Sequence, residues 1–97
     1  MLKISIKDSK TRRVLVLEGK LVAPWTDELR SICHGFGSDP DQRELVVDVQ
    51  GVTDISADGE EALLCLMVQR AHFRGAGVFM KQVLKQLARR IRQNNLT

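Results

Sequence analysis

Leu2, Ile4 and Ile6 alternate with Lys3, Ser5 and Lys7, and this period of two predicts a strand with one apolar face. Asp8-Ser9-Lys10-Thr11 supplies turn chemistry. Val14, Val16 and Glu18 then alternate with Leu15, Leu17 and Gly19, giving a second strand that is apolar on both faces and therefore central. The short turn makes these two a hairpin, which Gly19 and Lys20 end. Pro24 suits the first turn of a helix, where its missing N–H is not needed, and Asp27 and Glu28 suit the positive end of its dipole. Leu29, Ile32, Cys33 and Phe36 recur at helical spacing, and Gly35 and Gly37 stop the helix before the polar loop Ser38–Gln42.

The longest organised stretch is Leu45–Val78. Leu45-Val46-Val47-Asp48-Val49 is β-branched and apolar, so it predicts a buried strand. Gly51 breaks it, and Gln50 to Ala57 reads as a polar loop. Asp58 precedes good helix formers with Glu61 three residues on, the pattern of an N-cap and its capping-box partner. The helix from Gly59 to about Phe73 is apolar almost all round between Ala62 and Val68, so it should lie deep against a sheet. Arg74 and Gly75 are expected to close it. Val78-Phe79-Met80 reads as a fourth strand. Leu84, Leu87, Ala88 and Ile91 make a last amphipathic helix from about Gln82 to Gln93, with residues 93–97 as a fraying tail.

The expected order is ββαβαβα, an α/β fold in one domain spanning residues 1–97. After the hairpin, strands alternate with helices, so right-handed crossovers should make the last three strands parallel. The sheet is then four-stranded, mixed and mostly parallel, with three helices. Gly19–Thr26, Gly51–Gly59 and Lys81–Val83 should meet at the carboxyl edge of that sheet, the usual place for a site in an open α/β layer.

Composition narrows the function classes. A 97-residue chain buries only about 60–65% of its unfolded surface, so the core is modest. No apolar run reaches the roughly 20 residues of a membrane span, and the first residues lack the apolar block of a secretory signal. The expected location is cytoplasmic. Cys33 and Cys65 have no second cysteine or histidine at metal spacing, and read as small buried hydrophobes. The net charge of +3 is uneven. Asp54, Asp58, Glu60 and Glu61 make the middle acidic, while Lys81, Lys85, Arg89, Arg90 and Arg92 make the end basic. A solvated helix face is the plain reading of that end. No aromatic follows Phe79 to stack on bases, so nucleic acid is not an expected partner. Neither His34 nor His72 neighbours a nucleophile pattern, and no Gly-rich phosphate loop is present. The acids of the middle lack the second acidic pair that a phosphoryl-accepting magnesium site needs. No enzyme activity, cofactor or metal is expected.

Order and motifs together resemble the STAS domain, the family of anti-sigma factor antagonists and of the cytoplasmic tails of sulfate transporters. The resemblance covers about residues 2–92. It rests on Val14-Leu15-Val16-Leu17-Glu18-Gly19-Lys20-Leu21, Leu45-Val46-Val47-Asp48-Val49-Gln50-Gly51-Val52, Ile55-Ser56-Ala57-Asp58-Gly59, Leu63-Leu64-Cys65-Leu66 and Arg74-Gly75-Ala76-Gly77-Val78. It implies a non-enzymatic interaction domain of a bacterial partner-switching pathway, whose partner is an anti-sigma factor or Ser/Thr kinase-type protein. A second copy of the chain, as a homodimer, is the other expected partner; an accessory subunit of a lipid-transport ABC complex and a scaffold of a stress-signalling assembly are the alternatives within the family.

The family's phospho-accepting serine or threonine falls on Asp58 here, and its aspartate falls on Ser56. Asp58 has no hydroxyl, and carries one negative charge against roughly −1.5 to −2 for phosphoserine. The resemblance makes Asp58 either a permanent phospho-like charge or a helix cap, with Ser56 as the alternative acceptor. The implied partner surface takes in Trp25, Thr53, Asp54, Ser56, Asp58, Gly59 and Glu60, together with the last helix. Trp25 is either a core plug or an interface anchor.

Overall fold

The computed structural model describes residues 1–36 and 43–95. The Ser38–Gln42 loop and the last two residues lie outside them, as does the Phe36 side chain. The elements run β1 (Leu2–Asp8), β2 (Arg12–Leu21), α1 (Thr26–Phe36), β3 (Glu44–Ile55), α2 (Ala57–Val68), β4 (His72–Arg74) and α3 (Val78–Asn95). The sheet order is β1-β2-β3-β4, with β1 antiparallel to β2 and the β2–β3 and β3–β4 pairs parallel. The mixed four-stranded sheet with three helices is therefore the one the sequence predicts.

The strand register sorts side chains into two faces. Ile4 lies opposite Leu17, Ile6 opposite Leu15, and Leu15 opposite Val47. This apolar row faces the helices, because right-handed crossovers along β2, β3 and β4 bring α1 and α2 to one side. Helix α2 packs between α1 and α3. Leu15, Leu17, Leu21, Val47, Leu29, Leu63 and Leu66 are fully buried there. The opposite face carries half-buried Val14 and Val16 and a row of polar and charged contacts. Arg12 lies 3.6 Å from Glu44, His72 3.5 Å from Glu44, and Arg74 3.3 Å from Asp48.

Several boundaries differ from the sequence reading. Gly51 does not break β3, which continues to Ile55 because Glu18 to Leu21 of β2 offer it a pairing edge. Thr53 and Asp54 thus stand on a strand end, not on a loop. The second correction concerns the end of α2. It stops at Val68, not near Phe73. Arg70 takes a left-handed backbone with φ of 65°. Its N–H donates to the Met67 carbonyl at 3.0 Å, and the Ala71 N–H donates to the Leu66 carbonyl at 3.2 Å. This is the Schellman closure, here with arginine where glycine is usual. The absence of that glycine is why the end was invisible in the sequence.

The third correction follows from the second. His72-Phe73-Arg74 becomes β4, and Val78-Phe79-Met80 becomes the first turn of α3. Val78 and Phe79 are exposed, and only Met80 of the three is buried, so they suit a helix edge better than a sheet interior. Arg74 and Gly75 end a strand and not a helix. The last helix also extends through Asn95, so Gln93 to Asn95 are helical and not frayed.

Two stability outcomes follow. Leu66→Ala removes a fully buried side chain shared by the sheet and the helix layer, and should cost about 2–5 kcal/mol in denaturant unfolding. Arg70→Gly should instead stabilise by roughly 0.5–1 kcal/mol, by relieving the left-handed backbone at an exposed position.

Candidate functional site

The carboxyl ends of β2 and β3 lie side by side, with Leu21 opposite Ile55 and Lys20 opposite Asp54. Residues that follow them therefore emerge at one rim. From β2 come Val22 to Trp25, where the Ala23–Pro24 peptide bond is cis. The Thr26 N–H donates to the Val22 carbonyl at 3.3 Å and the Asp27 N–H to the Pro24 carbonyl at 3.1 Å, which turns the chain into α1. Trp25 stands on this turn and is 43% exposed, so it is not a core plug.

From β3 comes the start of α2. Ser56, not Asp58, is the N-cap: its backbone is extended and its Oγ accepts the Gly59 N–H at 3.3 Å. The capping arrangement of Asp58 with Glu61 is thereby corrected. Serine caps by this hydrogen bond because its oxygen replaces one missing carbonyl of the preceding turn. Asp58 instead occupies the first turn, exposed, where the helix dipole favours a negative charge.

The backbone of this turn is anchored to β2. The Ser56 N–H donates to the Leu21 carbonyl at 3.1 Å. Gly59 is buried over the same carbonyl, and a Cβ there would collide with the Leu21 oxygen and lie 2.8 Å from Ile55 Cγ1. The Ser56-Ala57-Asp58-Gly59 run thus has a local physical cause. Glycine at 59 lets the helix start touch the strand end, and the side chains on either side of it, Asp58 and Glu60, are carried to the rim.

Thr53 and Asp54 complete the acidic side of the rim. Both are exposed, and the Thr53 hydroxyl lies 3.5 Å from Asp54 Oδ2. Glu60 is half-buried. Glu61 turns away, held by Arg90 Nη2 at 2.9 Å. Among the described residues no three His, Cys, Asp or Glu side chains gather as a metal-binding group. The Glu61–Arg90 contact also places the later part of α3 beside the first turn of α2. The structure thus brings Trp25, Thr53, Asp54, Ser56, Asp58, Gly59 and Glu60 to one edge of the sheet.

The third expected loop does not join them. Strand β4 ends at Arg74, paired with Asp48, while β3 runs on seven residues from Asp48 to Ile55. At strand rise this leaves roughly 20 Å between the end of β4 and the rim. Lys81 to Val83 lie inside α3 and follow no strand directly.

Sequence reading missed two further features. One is Leu21, whose carbonyl seats the helix; a backbone acceptor leaves no sequence signal beyond the glycine opposite it. The other is the pairing of Cys33 with Cys65, which the structure joins as a disulfide between α1 and α2. The expectation of two separate buried thiols is therefore corrected. Its signal was present, since both cysteines lie on apolar stripes of helices that had to cover the same sheet face.

Gly59→Ala should destabilise by about 1–3 kcal/mol, because the added methyl must push α2 off the Leu21 carbonyl. Ser56→Ala should cost about 1 kcal/mol and Asp58→Ala only a few tenths, the reverse of what a capping Asp58 would give. Urea unfolding of the three variants checks the order.

Among the described residues, no helix is long and apolar enough to cross a membrane. Compared with protein-family models the chain matches none, and a search among curated proteins likewise finds no match.

Proposed function

We propose that this chain is a STAS-type, non-enzymatic interaction domain that acts in the cytoplasm in a bacterial partner-switching pathway. Its partner is an anti-sigma factor or Ser/Thr kinase-type protein, and it docks on the rim formed by the ends of β2 and β3. The observation that carries this reading is Asp58. It stands exposed in the first turn of a helix whose backbone is pinned to the sheet edge. A charge displayed there on a rigid element can favour or oppose a partner without paying to order a loop.

Asp58 takes the place of the family's switchable hydroxyl. A permanent carboxylate cannot be cycled by a kinase, so this domain holds one fixed charge state at the contact. Ser56 is poorly placed as the alternative acceptor. It is half-buried, and its oxygen is engaged in capping, so a kinase would have to open the helix start to reach it. Trp25, on the neighbouring turn, is the apolar anchor of the same surface.

The test uses the anti-sigma-type kinase that co-purifies from the native cytoplasm. The wild-type chain should gain no phosphate by intact mass, Asp58→Ser should gain one, and its affinity for the unmodified complex should change by about tenfold or more. Trp25→Ala should weaken the same complex by about tenfold or more. Unaltered binding in both variants would leave Asp58 and Trp25 as structural residues only, and the reading would fail.

A further inference from the structure

Cys33 and Cys65 bridge α1 and α2 with a Cα–Cα distance of 6.7 Å, and the two residues are buried to different degrees. Cys33 is fully buried among the core residues of α1. Cys65 is only half-buried and lines a shallow groove of about 270 Å³ along α2, with Glu61, Leu64, Val68 and Gln69. Gln69, the residue that ends α2, holds the buried side. Its Nε2 donates to the Cys33 carbonyl at 2.7 Å and to Cys33 Sγ at 3.2 Å. The acid of the groove is already matched, because Glu61 pairs with Arg90 at 2.9 Å. An incoming thiolate would therefore meet little uncompensated negative charge.

We propose that this pair is a thiol–disulfide exchange site, entered at Cys65 from the groove, with a dithiol of protein or small-molecule class as co-reactant. The incoming thiolate attacks Cys65 Sγ, a new S–S bond forms to it, and the Cys33–Cys65 bond breaks. The electron pair leaves on Cys33 Sγ, where the Gln69 amide N–H stabilises the thiolate until it takes a proton. The second thiol of the co-reactant then attacks the mixed disulfide and releases Cys65. The chain gains two electrons and two protons, and the dithiol is oxidised to its disulfide. A linkage with one half-buried cysteine on an open groove and one buried cysteine whose sulfur is hydrogen-bonded favours directional exchange, because rate depends on access and on how well the departing thiolate is stabilised. The inference is independent of the docking proposed at the rim.

The test treats the air-oxidised full chain with reduced glutathione, quenches by alkylation and maps the adduct by peptide mass. The mixed disulfide should form on Cys65, in roughly tenfold excess over Cys33. Gln69→Leu should slow reduction by dithiothreitol about fivefold, the loss expected for one ordinary hydrogen bond to the leaving sulfur. A merely structural glutamine would do the opposite, since loosening the helix pair would speed reduction. An adduct on Cys33, faster reduction in Gln69→Leu, or two free thiols in the air-oxidised chain would each overturn the proposal. Should Gln69→Leu fail to fold, adduct mapping on the unmodified chain decides alone.

Discussion

One close approach organises this molecule: the first turn of α2 rests on the carbonyl that ends β2. The Leu21 oxygen accepts the Ser56 N–H, and Gly59 lies over it with no Cβ to hold the two apart. Neither part suffices alone. Without the hydrogen bond, a buried carbonyl at a strand end would be left unsatisfied, at a cost of order 1–3 kcal/mol. Without glycine, the helix would have to lift, and the apolar surface of Ala62, Leu63 and Leu66 would lose its fit to the sheet. The seat therefore sets the height of α2 over the core, and with it the position of every side chain on the exposed part of its first turn.

The chemistry of the rim follows from this seat. Ser56 is consumed by structure, as cap and donor, whereas Asp58 is released to solvent two residues later. Local helix geometry thus divides two neighbouring polar residues into a structural one and a displayed one. The early end of β4 has a second effect. It withdraws the β4–α3 connection from the rim, so the proposed contact surface is built from two strand ends and the flank of α3, not from three loops. Because Glu61 is matched by Arg90, the displayed negative charge of the rim comes from Asp54, Asp58 and the half-buried Glu60.

The order of elements was legible because hydrophobic period and turn chemistry agree over most of the chain. Leu2, Ile4 and Ile6 alternate as a strand must, and Leu29, Ile32 and Cys33 recur as a helix face must. The boundaries that escaped were decided by partners distant in sequence. Gly51 looked like a breaker, yet Glu18 to Leu21 pair with that part of β3 and extend it. Arg70 looked like an ordinary helical residue, yet the Schellman hydrogen bonds around it turn the chain left-handed, and β4 pairs with β3 directly afterwards. Val78-Phe79-Met80 carries strand composition, but burial of Met80 alone selects a helix edge. The candidate rim was found as a set of residues, while its internal division was not. Which of Ser56 and Asp58 caps the helix depends on where the β3 pairing stops, and that is fixed by Leu21.

Native-state amide hydrogen exchange at Ser56 and Gly59 tests this seat most directly. Both amides donate hydrogen bonds that exist only while α2 sits on the end of β2 or is capped there. Protection within about tenfold of that of Val47 and Val49 in the core of β3 is the predicted result. Free exchange at Ser56 and Gly59, with the β3 core still protected, would contradict the account.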